Sequence, residues 1–171
     1  MNNYLQKLIQ HGAIVIFDMD GTITEARFSP NDETRILNCN NDDGSLILRN
    51  YRSNIYENIA VIPQTKAVIN DLIMENRKFY VLSQVHDGIE VVQKIELLDK
   101  VFPNFNAKDY FIGTINSEQK QKILKEMAEN NAGIDIVYVD DSLSFLIESE
   151  AKMSEEGIEN VHFFHISSVL V

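Results

Sequence analysis

Cysteine, glycine and positive charge are all scarce in this chain of 171 residues, and no long hydrophobic run occurs in it. The single cysteine, Cys39, excludes an internal disulfide and points to a reducing, cytoplasmic setting. The seven glycines fall in neither a P-loop nor a dinucleotide-binding spacing, which weakens ATPase and oxidoreductase readings. Lys and Arg number 15 against 26 Asp and Glu, a formal net charge of −11. Neutralising phosphates takes clustered basic residues, so this balance disfavours nucleic acid and anionic membranes as partners and leaves small molecules or a metal. No apolar stretch approaches the ~20 residues of a membrane span. The opening "MNNYLQKLIQHG" has neither the basic start nor the apolar core of a signal peptide.

What is present is apolar content enough for one packed domain: 44% of residues are hydrophobic, and the length suits a single domain over 1–171. There is no internal repeat. Five short apolar runs recur: "AIVIF", "FYVLS", "YFIG", "IDIVYV" and "VHFFHI". Near-continuous apolar character over so few residues suits strands buried on both faces. Helical spacing fills the gaps, as with Val68, Ile69, Leu72 and Ile73 in "QTKAVINDLIMENRK". "GIEVVQKIELLDKVF", "SEQKQKILKEMAEN" and "SLSFLIESEAKMSEEG" behave alike, the last with Gly157 placed to stop it. Strands alternating with helices predict an α/β fold, a doubly wound parallel sheet flanked by helices.

Ligands of such sheets bind beyond the carboxyl ends of the strands, where strand order reverses. The first run ends in Asp18 and Asp20, the second in Ser83 and the fourth in Asp140 and Asp141. Four carboxylates on one edge are unfavourable unless a cation neutralises them. Hard oxygen donors with few nitrogen or sulfur ligands suit Mg²⁺, which also takes substrate phosphate oxygens, so a Mg²⁺-dependent phosphoryl site is expected. Taken singly, these residues have plainer uses: Asp20-Gly21 as a turn, Asp141 or Ser142 as a helix cap. Their joint occurrence at three strand ends favours the site.

These residues resemble the haloacid dehalogenase-like (HAD) superfamily, most of whose members are phosphatases and phosphotransferases. "DMDGT" is similar to its DxDGT signature, Ser83 to its second motif and "VDDS" to its fourth. The third motif is a lysine ahead of the last of these strands, and Lys120 and Lys122 compete for it. Lys120 shares a helix face with Ile123, Leu124 and Met127, whereas Lys122 points to water with Lys125 and Glu126, so Lys120 is preferred. It also lies in the first turn after Asn116 or Ser117, where the helix dipole disfavours a cation, and a phosphate or Asp18 would be its natural partner. The resemblance implies that Asp18 is the nucleophile, forming an aspartyl phosphate, and Asp20 the general acid and base. It implies that Ser83 and Lys120 bind the phosphoryl group, and that Mg²⁺ is held by Asp18, the Asp20 carbonyl and Asp140 or Asp141.

Superfamily members often carry a cap that sets substrate choice. Here residues 25–62 form only a small cap-like insertion, which leaves the mouth open to bulky substrates or to closure by a neighbouring subunit. Four of the five arginines, Arg27, Arg35, Arg49 and Arg52, fall in it. Arginine forks bind anions in bidentate fashion, so Arg49 and Arg52 are assigned to a second anionic group of the substrate, against pairing with Asp32, Glu33, Asp42, Asp43 and Glu57. Tyr51 and Tyr56 offer rings for stacking or for packing the insertion on the core, and His86 and Asp87 a lining for the entrance or a surface turn.

Among rival classes, a cysteine-dependent phosphatase needs Arg six residues after its cysteine, where this chain has Ser45. A receiver domain would end its first strand in an acidic pair, not D-x-D with Gly-Thr. A dehalogenase has no need of Asp20, because halide leaves without a proton. The resulting expectation is a Mg²⁺-dependent phosphatase acting on a phosphorylated small molecule or nucleotide monophosphate. The alternatives are a phosphoprotein or nucleic-acid-end phosphatase, or a catalytically silent binding module.

Overall fold

The computed structural model describes residues 1–25, 39–40, 46–47, 56–57 and 59–170. All five apolar runs are strands: β1 (Ile14–Phe17), β4 (Phe79–Gln84), β5 (Phe111–Thr114), β6 (Ile136–Asp140) and β7 (Val161–His165). They form one parallel sheet in the order β5-β4-β1-β6-β7. Two further strands, β2 (Cys39–Asn40) and β3 (Leu46–Ile47), pair antiparallel to each other.

The four helical patterns are α2 (Pro63–Met74), α3 (Gly88–Val101), α5 (Ser117–Asn130) and α6 (Leu143–Glu155). Helix α2 stops short of the "NRK" that follows it because Asn76 takes a left-handed φ of 52°. The Asn76 and Arg77 N–H groups then close onto Ile73 and Leu72 oxygens as a C-terminal cap. Gly157, at φ 73°, ends α6 in the same way, its N–H donating to Ser154 O and that of Ile158 to Met153 O. Three helices had no counterpart in the sequence pattern: α1 (Asn3–Gln10), α4 (Ala107–Tyr110) and α7 (Ser167–Leu170). In α1, Leu5, Leu8 and Ile9 make a stripe too short to stand out, and the Asn2 side chain caps it by accepting from Tyr4 and Leu5 N–H.

The strand residues alternate between two cores. Val15, Phe17, Val81, Val137 and Val139 face α1, α2 and α3, while Ile14, Ile16, Leu82, Ile136 and Tyr138 face α5 and α6. This two-sided burial is why the strands read as continuous apolar runs. The chain moves outward from β1 to β4 and β5 along one face, then returns along the other to β6 on the opposite side of β1. Strand order therefore reverses between β1 and β6, and the crevice at their carboxyl ends is the expected binding edge.

The two ends of the segment between β1 and α2 are tied together. Glu25 N–H donates to Ala60 O and Ile62 N–H to Ile23 O, both at 2.9 Å. No described helix is long and apolar enough to cross a membrane.

Candidate active site

Past β1 the chain holds its register for one more residue, the Asp18 N–H donating to Val139 O at 2.8 Å. Asp18 follows Ile14 and Ile16 on the α5/α6 side of the sheet, as Asp140 follows Tyr138, so the two carboxylates meet at the reversal point. A tight turn comes next: Met19 O accepts from the N–H groups of Thr22, Ile23 and Thr24. Gly21 takes a φ of 82°, and a Cβ there would lie 2.2 Å from Asp141 Oδ2. Asp20-Gly21 is thus a turn, and one whose missing side chain makes room for the Asp141 carboxylate.

Opposite Asp18 stands Lys120. The Asn116 side chain caps α5 by accepting from Gln119 N–H, which puts Lys120 in the first turn on the inward face with Leu124 and Ala128. Lys122 lies on the outer face, its side chain 73% exposed and 3.7 Å from Glu126. Lys120 Nζ sits 2.9 Å from Asp18 Oδ1 and 3.1 Å from Asp140 Oδ2. It also lies over the rings of Phe145 and Tyr138, at 5.1 and 5.7 Å. Asp140 is fixed from two further sides: Tyr138 OH donates to Oδ2 at 2.5 Å and Ser142 N–H to Oδ1 at 2.8 Å. Ser142 occupies the N-cap position of α6, but its side chain makes no capping bond.

Asp18, Asp140 and Asp141 each offer a carboxylate oxygen within 4.8 Å of the others. Burial pushes the Asp18 carboxyl up to about 7; Lys120 restrains the rise, while Asp140 and Asp20 add to it. Asp141 is raised by burial and by Asp140. Burial works against the charged form of Lys120, yet Asp18 and Asp140 outweigh it and hold the ammonium above its ordinary value. Tyr138 is pushed well up by burial and by the neighbouring Asp18 and Asp140 charges, so it stays a hydrogen-bond donor. One lysine does not balance three carboxylates. An all-oxygen donor set with one partly open member, Asp141, fits a hard divalent cation that keeps part of its water, as Mg²⁺ does.

Ser83 and Asp20 belong to a second cluster on the α3 side. Lys94 of α3, wholly buried, places its ammonium 2.8 Å from Asp20 Oδ2 and 2.8 Å from Ser83 Oγ. Tyr56 OH lies 2.9 Å from Asp20 Oδ1 and 3.0 Å from Glu90 Oε1. The Glu90 side chain in turn accepts from His86 N–H, and Asp87 caps α3 by accepting from Glu90 N–H. Tyr56 is therefore buried against the core and is not a stacking platform. His86 and Asp87 form an exposed turn that starts a helix.

The sequence had pointed to neither Lys94 nor Tyr138. The signals were there: Tyr138 stands two residues before Asp140 on the same strand face, and Asp87-x-x-Glu90 is a capping-box pattern that fixes the phase of α3. That phase turns Glu90, Lys94, Leu97 and Leu98 inward. Arg49 and Arg52, assigned to a second anionic group of the substrate, lie outside the described residues, as do Arg27, Arg35 and Tyr51 of the same segment.

No protein-family model matches the chain, and no curated protein matches it in sequence. Among solved structures, it is similar to the HAD domain of effector protein Lem4 from Legionella pneumophila. The TM-score is 0.50 at 18% sequence identity, over 90% of this chain and 85% of that one. The likeness is one of fold, a HAD-like parallel α/β sheet.

Proposed function

We propose that the protein is a Mg²⁺-dependent phosphatase. It hydrolyses a phosphate monoester through an aspartyl phosphate on Asp18, and its substrate is a small molecule or nucleotide monophosphate. The observation that carries this reading is Lys120 Nζ bridging Asp18 and Asp140, 2.9 and 3.1 Å away, beside a carboxylate cluster at the strand-order reversal. A nucleophile and a fixed cation then share one phosphate-sized edge.

Asp18, Asp140, Asp141 and the Asp20 carbonyl would hold Mg²⁺, which would supply charge neutralisation and favour the ionised form of Asp18. An Asp18 oxygen attacks phosphorus as the bond to the leaving oxygen breaks, and Asp20 delivers a proton to that oxygen. In the second half Asp20 takes a proton from water as the water oxygen attacks phosphorus, releasing phosphate and restoring the Asp18 carboxylate. Lys120 and the Ser83 hydroxyl hold phosphoryl oxygens and offset developing charge. The whole chain acts as one domain, with residues 25–62 as a small insertion in it.

A screen of phosphorylated metabolites with Mg²⁺, run beside Asp18→Asn, tests this. Phosphate release from one substrate class that vanishes in Asp18→Asn and on chelation is the expected result. Release that survives in Asp18→Asn would refute the proposal.

A further inference from the structure

Lys94 has no place in the mechanism above, and its surroundings are not those of an ordinary buried ion pair. A lysine on a helix finds its simplest partner one turn away, and Glu90 occupies that position. Yet Glu90 Oε1, at 3.2 Å, lies farther from Lys94 Nζ than three other oxygens do. The shorter ones reach across to two strand ends: Asp20 Oδ2 and Ser83 Oγ at 2.8 Å, and the Gln84 carbonyl at 2.6 Å. We propose that Lys94 is a positioning residue, its ammonium tying the Asp20 carboxylate to the Ser83 hydroxyl so that both point at the bound phosphoryl group.

The chemistry of the donor supports this. An ammonium only donates, so Ser83 Oγ must act as acceptor toward Lys94, and its single O–H is left to donate elsewhere. That is the polarity a phosphate oxygen requires. Asp20 is contacted at both oxygens, by Lys94 on Oδ2 and on Oδ1 by the Tyr56 hydroxyl at 2.9 Å, whose one hydrogen Glu90 shares, and this orients its carboxylate. Lys94 is 0% exposed and cannot itself touch a substrate, so it acts through the two groups it holds. The site thus takes one lysine from each helix layer, Lys120 serving Asp18 and Lys94 serving Asp20.

This inference rests on the phosphatase reading, and one experiment separates the two. The kcat/KM of the wild type and of Lys94→Met is measured on p-nitrophenyl phosphate, whose leaving group needs no proton, and on an alkyl phosphate, whose leaving group does. A misplaced Asp20 should lower the alkyl value at least about 10-fold more than the aryl value, and an Asp20→Asn background should abolish that difference. Equal losses on both substrates, or no loss, would overturn the role of Lys94 while leaving the phosphatase standing. A wild type inactive on both would overturn the phosphatase reading and this role with it. If Lys94→Met does not fold, Lys94→Met/Glu90→Gln removes a buried cation and a buried anion together and is judged by the same criterion. Failure of both variants to fold would assign Lys94 to stability alone and likewise overturn the proposal.

Discussion

At the residue scale the site separates two lysines that the sequence could distinguish only by helix phase. Lys120→Ala takes the only described cation away from Asp18 and Asp140, so activity should fall by about 10²–10³, as for loss of a preorganised charge in a catalytic site. Lys122→Ala removes a surface pair with Glu126 worth about 0.2–1 kcal/mol and should leave activity within about twofold. Steady-state assays of the two variants side by side check this, and the reverse ranking would place the phosphate-binding lysine wrongly. The choice was legible because Lys120 repeats with Leu124 on the buried stripe. Lys94 was not, because a lysine among Val91, Val92 and Ile95 reads as the solvated side of an amphipathic helix. Only the contacts with Asp20, Ser83, the Gln84 carbonyl and Glu90 reveal why a charge can be buried there.

At the scale of elements, the turn after β1 links fold to chemistry. Its glycine is required twice, by a φ of 82° and by the Asp141 oxygen 2.2 Å from where a Cβ would stand. Gly21→Ala should cost about 1–2 kcal/mol from the left-handed backbone alone and displace Asp141 besides. Thermal unfolding should register the first effect and Mg²⁺ titration the second, as weakened binding. Undiminished Mg²⁺ affinity would mean that Asp141 has no part in the metal site. The five strands were legible because each is a short apolar run, with β1 and β6 buried on both faces and the edge strands β5 and β7 half-buried. The short helices were not: α4 and α7 span four residues each, less than a hydrophobic period can mark.

At the scale of the whole molecule, the buried acidic cluster couples stability to pH and to metal. Asp18 titrates near 3.8 when unfolded and at about 7 when folded, so the folded state holds the proton more tightly. Its contribution is therefore fully present below the unfolded value and is lost as pH rises through the folded one. In chelator, stability should decline from this group between about pH 4 and pH 7 and level off above. A cation competes with that proton, so the rise in Tm caused by Mg²⁺ should be larger at about pH 8 than at about pH 5. Differential scanning fluorimetry with and without Mg²⁺ measures both trends, and a Mg²⁺ effect greater at the lower pH would contradict the site. The position of this cluster was readable from strand ends alone. Its protonation was not, because burial and the single balancing lysine arise only when β1, β6 and α5 come together.

In the proposed mechanism Asp18 takes the phosphoryl group and Asp20 manages the proton. Asp20→Asn should still be phosphorylated by p-nitrophenyl phosphate, which needs no acid, but should lack the base that clears the intermediate. Mass spectrometry of this variant, quenched in acid during turnover, should find one added phosphoryl group on the peptide carrying Asp18, labile to hydroxylamine. A phosphoryl group on any other residue, or Mg²⁺-dependent turnover persisting in Asp18→Asn, would contradict the account.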